Sequence, residues 1–191
     1  MQNEGNRNKQ QNKRLKQKLI VVLLALVCIL ALVLVKKLYI DRSSARKNAE
    51  LFGPYKIVRV VDGDTMIADI NGEEIRVRLI GVDTPESVAP EISGKENTEE
   101  GTDVSDYVKS LLDGKKIFLE YDVSRTDQYG RTLAYVYLDD STTMLQEILL
   151  SEGMAMVETY QPNVKYADYF YKLQKKARKE GKGFWGNGYY E

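Results

Sequence analysis

The chain has 191 residues, enough for one domain and an appendage, and carries 28 basic and 28 acidic residues. It has no histidine and one cysteine, Cys28. That excludes an internal disulfide, a cysteine metal site, histidine-ligated zinc and a Ser-His-Asp triad, so any metal is held by oxygen.

Residues 1–18 are polar and basic, with Arg7, Lys9, Lys13, Arg14, Lys16 and Lys18 against Glu4 alone. Residues 19–35 are 17 uncharged, mostly apolar residues, the lower limit for a membrane-spanning helix. No small-x-small cleavage site follows, because Val35 runs into Lys36-Lys37. The expectation is an uncleaved single-pass anchor in the cell membrane; the alternative is a secreted protein whose signal is cut. Six basic residues precede the apolar run and five follow it (Lys36, Lys37, Arg42, Arg46 and Lys47). This margin predicts a cytoplasmic tail at 1–18 and an extracellular domain. Residues 36–53 read as a linker, and a globular domain is expected over 54–186, with 187–191 as a tail.

Residues 1–50 hold 11 basic and 3 acidic residues, which leaves 17 basic and 25 acidic after residue 50. The domain is thus about −8, the wrong sign for a module that holds nucleic acid by bulk charge. Affinity for a polyanion must come from a few local cations or a metal.

The most informative stretch is residues 60–86, VVDGDTMIADINGEEIRVRLIGVDTPE. Ile75, Val77 and Leu79 alternate with Glu74, Arg76 and Arg78, which is strand periodicity. Asn71-Gly72 fits a two-residue hairpin turn. A hairpin here brings Asp64 toward Asp83 and Glu86 and places Arg78 among them. Carboxylates hold a hard cation such as calcium or magnesium, and an arginine neutralises charge on a phosphate. Asp62-Gly63 is expected to form the tight turn that presents Asp64.

Farther along, residues 87–101 are rich in Gly, Pro, Ser and Glu and read as a loop. Residues 102–113 predict a helix from Val104, Tyr107, Val108 and Leu111, stopped at Gly114. Residues 115–122 and 131–138 predict strands. Residues 143–151 predict a helix in which Thr143 and Gln146 form a capping box and Gly153 ends it. Residues 154–157 predict a short fifth strand, and 164–180 a third helix whose Tyr166, Tyr169, Phe170 and Leu173 form a packing face. No internal repeat is present. Five strands and three helices match an OB-type barrel, an α+β fold that is mainly β.

Three motifs, DGDT, RLIGVDTPE and RTDQYGRTLAYVY, occur in this order. Together they closely resemble the staphylococcal nuclease (thermonuclease) family over residues 55–186. The resemblance implies the OB-type barrel and a calcium-dependent endonuclease acting on DNA and RNA, a phosphodiester hydrolase expected as a monomer. It implies calcium ligands at Asp64, Asp83 and the Thr84 carbonyl, and Glu86 as the residue that orients or deprotonates water. It implies Arg78 and Arg131 as the phosphate clamp, and Tyr129 and Tyr160 beside the nucleotide. The chain departs from the family prototype at Gln128, where that has a lysine, and in the shorter segment 158–160. The competing expectation is a catalytically weak OB-fold module that binds nucleic acid or protein at the membrane.

Overall fold

Asn71 and Gly72 both have positive φ, 59° and 91°, the backbone a tight hairpin turn needs. They join β2 (Thr65–Ile70) to β3 (Glu73–Leu79), paired antiparallel from Thr65↔Arg78 to Ile70↔Glu73. This computed structural model describes residues 16–33, 49–87 and 98–190. The segments 1–15, 34–48 and 88–97 fall outside them, and with them most of the predicted tail, linker and Gly/Pro/Ser loop.

Among the described residues the first compact unit holds one helix, α1 (Lys16–Val33), with a mean hydropathy of 2.4. It is long and apolar enough to cross a membrane. The second unit begins at Ala49. There β1 (Leu51–Val60), β2, β3, β5 (Lys116–Glu120) and β6 (Thr132–Tyr137) form a closed barrel in the order β1-β2-β3-β6-β5. The β3–β6 pair is parallel, with Val77↔Thr132 and Arg78↔Leu133; the others are antiparallel. This is the OB-type fold, and its core is built from the inward residues Met66, Ala68, Val77, Leu79, Ile117, Leu119, Ala134 and Val136.

Two expectations about strands need correction. The fifth barrel strand is β1, not residues 154–157. Only Met156–Val157 (β7) is extended there, and it pairs outside the barrel with β4 (Val82–Asp83). The start of β1 lies in the stretch read as linker. Pro54 hides it, since proline donates nothing to a ladder and sits here where the β1–β5 register shifts, between Phe52 and Tyr55.

Helix α2 (Glu99–Leu112) starts three residues before the predicted point. The Thr98 hydroxyl caps it by accepting the Gly101 amide at 2.9 Å, and Glu99 and Glu100 favour its positive N-terminal end. Val104, Val108 and Leu112 are its buried face, with Tyr107 and Leu111 at the margin. Helix α3 (Leu145–Ser151) lacks the predicted capping box. The Thr143 hydroxyl donates to Asp140, and Gln146 turns inward, bonding the Val136 amide at 3.1 Å and the Ala134 carbonyl at 3.1 Å. A buried amide satisfies barrel backbone there, a stronger demand than a helix cap. Helix α4 (Ala167–Lys179) packs as predicted: Tyr166 and Phe170 are buried, and Tyr166 meets Tyr135 edge-on with ring centres 4.6 Å apart. A 3-10 turn (Gly183–Trp185) follows. The residues after it fold back, so that Tyr190 is buried with its ring centre 5.0 Å from Trp185.

Candidate active site

The tight turn before β2 aims Asp64 inward. The amides of Val61 and Asp62 both donate to the Thr65 carbonyl, and the Asp62 carboxylate accepts the Asp64 amide at 3.1 Å. Gly63 is required for space, because a Cβ there would stand 2.7 Å from both the Thr84 hydroxyl and Val104. Asp64 is 6% exposed. One of its oxygens accepts the Thr65 hydroxyl at 3.0 Å, and the other accepts the Thr84 amide at 3.1 Å and hydroxyl at 3.2 Å.

Arg78, directly across from Thr65 in β3, lays its guanidinium over this turn. It forms ion pairs with Asp64 and, at 3.0 Å, with Asp83, and it donates to the Val82 carbonyl at 3.0 Å. Glu158 stands 3.7 Å from its second terminal nitrogen. Burial, helped by the charge of Asp62 and opposed by Arg78, leaves the Asp64 carboxyl raised to about 6. Burial alone would lower the Arg78 pKa, but Asp64, Asp83, Asp62 and Glu158 together raise it. Four carboxylates thus act on one guanidinium, and the site holds a surplus of negative charge on hard oxygen. Among the described residues, no group of three or more His, Cys, Asp or Glu side chains is placed to hold a metal unaided. Two carboxylates, a carbonyl and water form the donor set that calcium accepts, and the charge surplus suits a cation.

Glu86 follows the short β4. Its carbonyl accepts the Thr98 amide at 3.1 Å, so the first turn of α2 sits on it. Only glycine fits next: a Cβ on Gly101 would stand 1.9 Å from the Glu86 carbonyl oxygen. The turn at residues 127–130 orients Arg131. Its backbone amide donates to Asp127 at 2.9 Å and its Nε at 2.6 Å, and the Tyr129 ring centre lies 5.5 Å from its guanidinium carbon. Slight burial would raise the Asp127 carboxyl, but the bonds from Arg131 and the Tyr129 amide hold it below the usual carboxylate range.

These pieces surround one cleft of about 990 Å³, lined by Asp64, Arg78, Asp83, Glu86, Tyr129, Arg131 and Tyr160. Seven of the eight predicted site residues therefore share one wall system. Thr84 is buried beside Asp64 and borders a smaller adjoining pocket with Asp83 and Glu86. Sequence reasoning missed Asp127, which fixes Arg131, and Glu158, whose carboxylate accepts the Tyr160 hydroxyl at 2.7 Å. The signal for Asp127 was an aspartate four residues before the arginine across a Gly130 turn with φ 78°.

The chain is similar to several known proteins. The family described as staphylococcal nuclease homologue matches residues 76–187. A thermonuclease of Staphylococcus hyicus is 39% identical over 166 residues, 85% of this chain and 95% of that protein. A thermonuclease of Staphylococcus intermedius is 44% identical over 131 residues, 69% of this chain and 75% of that protein. The endonuclease YncB of Bacillus subtilis (strain 168) is 38% identical over 146 residues, 75% and 67% of the two chains. The chain belongs to the staphylococcal nuclease homologue family.

Proposed function

We propose that this protein is a calcium-dependent nuclease that hydrolyses phosphodiester bonds of DNA and RNA, tethered outside the cell by α1. The observation that carries the reading is the convergence of Asp64, Arg78, Asp83, Glu86 and Arg131 on one cleft. Relatives named thermonuclease and endonuclease support it.

In this reading Asp64, Asp83 and the Thr84 carbonyl hold the calcium ion. When bound, calcium polarises a phosphoryl oxygen and orients water. The chain's own side chains do the rest. Arg78 and Arg131 clamp the phosphate, since a guanidinium stays charged and offers paired donors. Asp127 holds Arg131 ready, which lowers the cost of ordering it. Glu86 accepts a proton from the attacking water or fixes its direction; a carboxylate suffices in a chain without histidine. Tyr129 and Tyr160 border the nucleotide. The basic residues of 1–18 keep that end in the cytoplasm, and the residues between α1 and β1 link anchor to domain.

The test uses the purified full chain with single-stranded DNA. Cleavage is expected with calcium, absent in chelator, and restored when calcium is returned. Full cleavage in chelator rejects the metal assignment. No cleavage in calcium rejects the hydrolase.

A further inference from the structure

Glu158 leaves β7 and enters the cleft beside Tyr160. Its amide donates to the Gly81 carbonyl at 3.2 Å, which ties its backbone to the turn between β3 and β4. One carboxylate oxygen accepts the Tyr160 hydroxyl. The other faces Arg78 at 3.7 Å, beyond hydrogen-bond distance. An ionised carboxylate offers about four acceptor sites, so most of this one's capacity remains. A phosphodiester has no proton to donate and is repelled by this carboxylate. An internal deoxyribose has no hydroxyl to offer. The donors left in a DNA strand are those of the bases.

We propose that Glu158 is a specificity-determining residue that selects the nucleobase in this cleft, with guanine preferred. Guanine presents N1–H and N2–H side by side and meets both oxygens of a carboxylate. Adenine and cytosine each present an amino group beside an acceptor, and thymine a single N3–H between two carbonyls. The inference rests on the nucleotide-binding reading of the cleft but not on cleavage.

The test is isothermal titration of the full chain, in calcium, with the four deoxynucleoside 3′,5′-bisphosphates, which need not be cut. The deoxyguanosine compound is expected to bind about tenfold tighter than the thymidine compound, within the discrimination a bidentate base contact supplies. In Glu158→Gln a negative charge leaves, so the thymidine compound binds tighter, but guanine loses its paired contact and the guanine-to-thymine ratio falls below about threefold. A uniform gain with the ratio kept would mean that Glu158 acts only on Arg78, and would overturn the proposal. Equal affinities in the native protein, or no binding by any of the four, overturn it too. DNA cleavage is scored separately. Base preference without cleavage rejects the hydrolase and keeps this inference; cleavage without base preference does the reverse.

Discussion

Glu86 and Arg131 line the same cleft, and the proposed reading gives them different tasks. A group that acts on water contributes to the rate and little to affinity. Glu86→Gln is therefore expected to lower turnover by about a hundredfold or more, the scale of lost acid-base help, while binding of a non-cleavable nucleotide stays near normal. Arg131→Lys is expected to weaken binding as well as rate, because a lysine loses both the fork and the Asp127 contact at Nε. Circular dichroism must be unchanged in both variants. Near-normal turnover of Glu86→Gln removes it from the chemistry. That Asp64, Asp83 and Glu86 would share one cleft was legible from the sequence because their motifs are local: Asp64 follows a DG turn, and Asp83 and Glu86 follow one strand. Asp127 and Glu158 were not, because their value lies in partners that only the folded cleft supplies.

Among the elements, α2 matters most to the site, because its first turn rests on Glu86. Gly101→Ala forces a methyl group into the Glu86 carbonyl. Turnover is expected to fall by at least about tenfold, given that a 1 Å misplacement can cost about a hundredfold. Gly72→Ala is the control: nothing lies within 4 Å of its would-be Cβ, so it costs about 1 kcal/mol through its positive φ and leaves turnover unchanged. Equal turnover loss in both variants would detach Gly101 from the site. The turn before α3 gives a pH test. Asp140 accepts the amides of Thr142 and Thr143 and the Thr143 hydroxyl. Slight burial works the other way, but these bonds hold its carboxyl at about 2. The folded value lies below the unfolded one, so its contribution is present above about pH 4 and is lost as the pH falls through about 2. Asp140→Asn should cost about 1 kcal/mol or less at neutral pH, as solvent screening requires, in urea unfolding. The gap to the native protein should close between those two pH values; a constant gap would assign the cost to something other than charge. The hairpin was readable because Asn71-Gly72 permits little else. Strand β1 was not, because Gly53, Pro54 and two register shifts break its alternation, and the start of α2 was masked by a glycine in its first turn.

At the scale of the whole molecule, the charge of the chain is divided. The segment up to residue 50 carries 11 basic against 3 acidic residues, and the domain after it 17 basic against 25 acidic. A spanning α1 predicts that the full-length protein sediments with membranes and resists extraction by high salt. A soluble product beginning near residue 36 would mean that the segment is cleaved, and would replace the anchor with secretion.

The parallel pairing of β3 with β6 has a further consequence. It is the seam that sets Arg78 beside the strand following Arg131, two residues from distant parts of the chain. The hairpin joins neighbours in sequence at little closure cost, whereas this pairing must bridge the whole stretch that carries β4, α2 and β5, and such distant contacts are the slower ones to form. Until the seam shuts, one half of the proposed phosphate clamp has no counterpart. On the proposed reading, a chain that crosses the membrane unfolded lacks that clamp, and its activity waits for the barrel to close.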